Sequence, residues 1–131
     1  MKFKKPILGT IGYTIITFVI AVVWHIILFE NTYRSWGYFG EKPGYLLGFS
    51  SILIQGAVLS FAYQYLKISK WKFVLFAGIY HWTVHVLAFM AKTDVAANIQ
   101  FLGMETFYLF MQFGLYGILI GIIWKEKSSN N

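Results

Sequence analysis

Trp71 to Lys92 reads WKFVLFAGIYHWTVHVLAFMAK, and this stretch decides the fold. It is apolar, and long enough to cross a bilayer, which takes about 20 helical residues. It also carries His81 and His85, four residues apart. At helical pitch the two rings lie on one face, one turn apart. Ionisable groups at that depth are costly, so they face protein or water and mark candidate functional positions.

The rest of the chain has the same character. Of its 131 residues 58% are hydrophobic and 12% charged, about half the charge of a soluble domain. The apolar residues fall in four long blocks and do not alternate with polar ones, the pattern of membrane spans. There are no cysteines, which excludes disulfides, thiolate metal sites and thiol chemistry. The net charge of +6 sits at the chain ends and in one loop, a distribution that fits membrane orientation and not nucleic-acid binding.

Four spans are predicted, at about 6–29, 44–66, 73–91 and 99–124, in a single domain over 1–131. Pro6 suits a first helical turn, where its missing N–H costs nothing. The first apolar run is too long for a signal peptide and lacks a small-x-small cleavage site. Glu30 to Pro43, ENTYRSWGYFGEKP, is the one sizeable loop. Its Tyr33, Trp36, Tyr38 and Phe39 suit the headgroup region, and Trp71 and Trp124 read as anchors at the opposite boundary. Trp24 and Trp82 are expected to pack or face lipid. Lys125 to Asn131 is a polar tail. Lys2, Lys4 and Lys5, then Lys67, Lys70 and Lys72, then Lys125 and Lys127 all fall on one side of a four-span chain. The other two loops are balanced. This predicts N-in, C-in topology, and the expected fold is an all-α integral membrane four-helix bundle.

Polar residues converge in the outer half. At 1.5 Å per residue, His25 lies about 7 Å, and His85 and Glu105 about 9 Å, below the outer ends of their spans. Helical phase puts Thr10, Thr14, Thr17, Ala21 and His25 in one stripe, and Gly44, Gly48, Ser51, Gln55 and Ala62 in another. Ala77, His81, His85 and Ala88 form a third, and Glu105 and Gln112 line up on the last span. Packed membrane helices turn small and polar stripes toward each other, so His25, Gln55, His81, His85, Glu105 and Gln112 are predicted to form one polar core. Gly44 and Gly48, and Gly114, Gly117 and Gly121, are expected to pack helices. Gly117 and Gly121 form a small-xxx-small pair, read either as packing within the bundle or as a self-association face.

Four readings of the core stand side by side. The polar groups hold the helices in register. His25, His85 and Glu105 bind a metal through nitrogen and oxygen donors. His25 and His85 clamp a haem. The cluster relays protons or ions, although the inner half lacks an ionisable residue. The one H-x-x-x-H pair falls short of the several histidine boxes of membrane di-iron hydroxylases. No phosphate loop, nucleophile elbow or H-E-x-x-H occurs, so no enzymatic signature is present.

Three stretches, KPILGTIGYTIITFVIAVVWHIILFE, GFSSILIQGAVLSFAYQYL and METFYLFMQFGLYGILIGIIW, resemble a group of uncharacterised four-span bacterial membrane proteins. The shared marks are Lys5-Pro6, Gly12 to Thr14, Trp24-His25 and Gln55-Gly56. The resemblance covers about half of the chain, in spans 1, 2 and 4, and implies a topology but no activity. The reading that results is a small inner-membrane protein with a structural or binding role, in contact with lipid and either self-associated or part of a larger complex. A metal- or haem-binding protein or an ion-conducting bundle is the alternative.

Overall fold

In the computed structural model, residues 2–42, 44–66, 68–93 and 98–125 are described. Four helices are long and apolar enough to cross a membrane: α1 (Lys4–Leu28), α3 (Tyr45–Tyr65), α4 (Lys70–Lys92) and α5 (Ile99–Trp124). A short helix, α2 (Glu30–Ser35), follows α1. The described residues contain no strand. Helix is what such segments must adopt, because the bilayer offers no partner for a free backbone N–H or C=O. The expected spans agree with the helices to within a few residues. The largest difference is α4, which starts at Lys70, three residues before the expected limit at 73. The predicted tail lies outside the described residues beyond Lys125.

Two segments depart from α geometry. Val22–Leu28 and Thr83–Leu87 are π-helical, and they carry His25 and His85. Such wide turns are rare and gather at functional positions. Asn98 caps α5, its Oδ1 accepting the Phe101 N–H at 2.9 Å. Gly37 takes a positive φ of 68° in the turn after α2, a conformation that favours glycine.

Packing makes an open ring. α1 lies against both α3 and α5, and α4 lies against α5, while α3 and α4 touch at few points. The tight seams run through glycines that were not among those expected to pack helices. A Cβ on Gly9 would meet Ser60 Oγ at 2.7 Å, and one on Gly56 would meet the Thr10 carbonyl oxygen at 3.1 Å. A Cβ on Gly12 would meet Leu119 at 2.5 Å. Small residues let helix backbones approach where the hydrophobic effect gives no drive.

The glycines expected to pack helices divide. Gly117 and Gly121 pack within the bundle, under the side chains of Trp71 and Lys70 respectively. Gly48 and Gly114 have nothing within 4 Å of an added Cβ, and Gly44 meets only its neighbour Leu47. For Gly44 and Gly48 the reason is the open side of the ring: that part of α3 faces a cleft and not a helix.

The Glu30–Lys42 loop is also not as expected. Tyr33 is fully buried and Trp36 and Tyr38 are half-buried, folded over the end of the bundle. A headgroup position would leave Tyr33 only water to bond. Folded inward, its hydroxyl reaches a buried carboxylate. Arg34 and Glu30 remain outside as an exposed i,i+4 pair at 2.8 Å.

Candidate functional site

Glu105 on α5 is fully buried and is the hub of the loop end of the bundle. His25 Nε2 lies 2.9 Å from its Oε1 and His85 Nε2 3.2 Å from its Oε2. The Tyr33 hydroxyl donates to Oε1 through a short bond. The Tyr33 hydroxyl and the two imidazoles crowd the carboxylate oxygens from three sides, an arrangement that suits an ionised carboxylate. Four elements, α1, α2, α4 and α5, thus meet at one side chain.

The surroundings fix the hydrogens. His25 Nδ1 faces the Ala21 carbonyl oxygen at 3.1 Å. A carbonyl only accepts, so Nδ1 donates, and Nε2 shares a hydrogen with Glu105. Trp24 Nε1 donates to Tyr33 Oη at 2.9 Å, which leaves the tyrosine hydrogen for Glu105. Tyr38 stacks on the His25 ring at 5.1 Å with an 8° interplanar angle, and its hydroxyl lies 3.2 Å from His85 Nε2. Tyr33 and Tyr108 meet the same imidazole edge-on at 4.5 and 4.7 Å. Burial pushes the Tyr33 and Tyr38 hydroxyls well above the usual tyrosine range, and the neighbouring Glu105 charge adds to the effect.

A second polar chain lies deeper. Gln112 Nε2 donates to Tyr13 Oη at 2.8 Å, and Tyr13 donates to Gln55 Oε1 at 3.2 Å. Gln55 Nε2 donates to Ser51 Oγ at 3.1 Å. Towards the other end, Ser60 Oγ pairs with Tyr116 Oη at 3.0 Å, and Trp124 Nε1 donates to Gln64 at 2.7 Å. Polar ties therefore occur along the whole length of the bundle, and among the described residues those of histidine and carboxylate lie near the loop.

Five of the six expected core residues fall in two bonded groups and not one, and the sixth, His81, is in neither. His25, His85 and Glu105 form the first. Gln55 and Gln112 belong to the second and are bridged by Tyr13. His81 stands between them, its ring 5.2 Å from His85 and 5.6 Å from Phe113. The residues missed from the sequence are all aromatic: Tyr13, Tyr33, Tyr38, Tyr108 and Trp24. Trp24, expected to pack or face lipid, is a hydrogen-bond donor inside the cluster. Tyr13 had a signal, since it falls one residue off the threonine stripe, but an aromatic ring at helical spacing reads first as packing.

A cleft of about 330 Å³ opens beside these groups. Its apolar walls include Phe18, Val22, Ile26, Phe39, Phe49 and Ile52. Thr17, Ser51, Gln55, His81 and Gln112 supply the polar lining at its depth. Gln55, Tyr80, His81, Val84 and His85 line an adjoining hollow in the gap between α3 and α4.

The donor set is spent on hydrogen bonds within the cluster. Among the described residues, no group of three or more histidine and carboxylate side chains is arranged to hold an ion. Both His25 nitrogens and the His85 Nε2 are already engaged in hydrogen bonds. Glu105 fills the space between the two imidazoles, where a porphyrin clamped by them would have to lie.

Fold and site together define a small multi-pass helical membrane protein with a buried histidine–carboxylate cluster and a side cleft. No protein family, curated protein or solved structure matches the chain.

Proposed function

We propose that this is a non-enzymatic binding protein of the bacterial inner membrane, with both termini on the cytoplasmic side. The observation that carries the binding reading is the cleft: a hollow with apolar walls and convergent polar groups, on the open side of an otherwise tightly packed ring. The Glu105 cluster is the tie that holds α1, α2, α4 and α5 in place around that hollow. Its hydrogen bonds are satisfied within the protein, as a structural tie requires. The lysine distribution supports the orientation, and the resemblance to four-span bacterial membrane proteins supports a bacterial origin.

The test is native mass spectrometry of protein extracted gently from its own membrane, beside the variant Gly48→Leu. Gly48 lines the cleft and has open space around it, so leucine enters the hollow without displacing a neighbour. A non-protein adduct that survives detergent exchange in the wild type and is lost in Gly48→Leu is the expected result. An adduct-free wild type, or one whose adduct is untouched by Gly48→Leu, would refute binding in the cleft and leave a structural role.

A further inference from the structure

If the cleft is a binding site, the reading on which this inference rests, its chemistry specifies what it binds. Thr17 lines it and is 3% exposed, and its Oγ1 has no hydrogen-bond partner among the described residues. The polar neighbour one turn back, the Tyr13 hydroxyl, is bonded to Gln55 and Gln112 and approaches Thr17 without completing a well-formed hydrogen bond to it. A buried hydroxyl without a partner is costly, and a ligand group is one way to satisfy it. Ser51 Oγ accepts from Gln55 and keeps its own hydrogen to donate.

Depth and charge narrow the choice. Gln55 lies about ten residues, roughly 15 Å, along α3 from its loop end, near the middle of a hydrocarbon layer about 30 Å thick. The way in from the side is the gap between α3 and α4, which faces lipid. Among the described residues no lysine, arginine, aspartate or glutamate lines the cleft. The nearby carboxylate, Glu105, is fully buried behind its own three partners. A charged head would have to cross the hydrocarbon, and of the histidines on the cleft wall His25 and His85 are already bonded to Glu105. A neutral head that already travels at the bilayer centre meets no such cost.

We infer that the cleft binds a neutral, small-headed, single-chain lipid, its head at Thr17, Ser51 and Gln55 and its chain leaving between α3 and α4. A ring carbonyl, as in a quinone, and a terminal hydroxyl, as in a long-chain alcohol, share this chemistry. Thr17 can donate to the first and both donate to and accept from the second.

Four probes test it on the full chain in nanodiscs: decylubiquinone, dodecanol, dodecyl phosphate and dodecyltrimethylammonium. The neutral pair is expected to bind at least about 10-fold more tightly than either charged probe, and Gly48→Leu to abolish that binding. Thr17→Val, nearly isosteric, is expected to weaken the preferred neutral probe by about 5- to 10-fold, the worth of one buried hydrogen bond. The same variant should be no less stable than wild type, because it deletes an unpartnered hydroxyl. A stronger loss for decylubiquinone than for dodecanol assigns a quinone-type head, and the reverse assigns an alcohol. Charged probes binding as well as neutral ones, yet lost in Gly48→Leu, would overturn the neutral-head inference and leave the binding reading intact. Unaltered neutral binding in Thr17→Val would remove the head from Thr17 and overturn the inference as drawn. If no probe binds and no native adduct is found, both readings fall.

Discussion

Glu105→Gln is the substitution that examines the cluster most directly. It keeps the size of the side chain and removes the charge. One oxygen becomes an NH2 group, which donates where the carboxylate accepted. If the amide nitrogen takes the Oε1 position, it faces the Tyr33 hydroxyl, whose hydrogen then has no acceptor. If it takes the Oε2 position, the remaining oxygen faces His25 Nε2. His25 Nδ1 is held as a donor by the Ala21 carbonyl, so a neutral His25 would set a lone pair against that oxygen. Either way at least one bond is lost. Interhelical hydrogen bonds in membranes average about 0.6 kcal/mol each, so bond counting alone gives about 1 kcal/mol. Breaking one side of a buried charged pair in a soluble protein costs about 3–5 kcal/mol. The donors converge as on a carboxylate, so we expect a loss of about 2–3 kcal/mol, between those two limits. Reversible unfolding in dodecylmaltoside micelles titrated with SDS, followed by circular dichroism, measures it. Stability within about 0.5 kcal/mol of wild type would refute the charged hub, because an amide copies only a neutral carboxylic acid that well.

Neighbouring features give further expected outcomes. Gly117→Val should destabilise by about 1–3 kcal/mol, because the Trp71 ring comes within 2.6 Å of the new Cβ. Gly114→Ala, in open space, should be neutral or stabilising by up to about 1 kcal/mol; the same micelle titration distinguishes the two. Stability should fall above about pH 10, where the unfolded chain releases the Tyr38 hydroxyl proton that the folded chain keeps. Tyr38→Phe should flatten that alkaline slope by up to about 1.4 kcal/mol per pH unit, read as a midpoint shift between about pH 9.5 and 11. Single cysteines at Ser35 and Ser69, both exposed, should react with an impermeant maleimide from opposite faces of the membrane; reaction from the same face would overturn the proposed topology.

The fold was legible because a membrane span is a statement about length and apolarity, and four such runs stand in the chain. Depth counting was legible for the same reason: rise per residue is constant, so His25, His85 and Glu105 could be set at one level before any contact was known. Helical phase was less secure. The wide turns at Val22–Leu28 and Thr83–Leu87 change the angular position of the residues beyond them, and no residue pattern in VVWHIIL or TVHVL marks them. The aromatic partners were hidden by their dual nature. Tyr33 and Tyr38 carry the composition of an interfacial loop, and only a buried carboxylate beneath them makes inward folding favourable. The cleft was hidden altogether, since it arises from two helices that fail to meet, and the Gly44–Gly48 stripe reads the same whether it faces a helix or a void.

The hub also imposes an order on synthesis. Its acceptor, Glu105, is on the last span, and its donors come from segments made earlier: His25, Tyr33 and His85. The spans α1 and α4 therefore each enter the bilayer with a histidine whose carboxylate partner has not yet been translated. The α1–α3 seam through Gly9 and Gly56 needs no such partner and can form as soon as the second span is inserted. Closure around Glu105 therefore waits for α5, and a chain stopped before it would leave the His25 and His85 rings in their spans without the carboxylate that joins them.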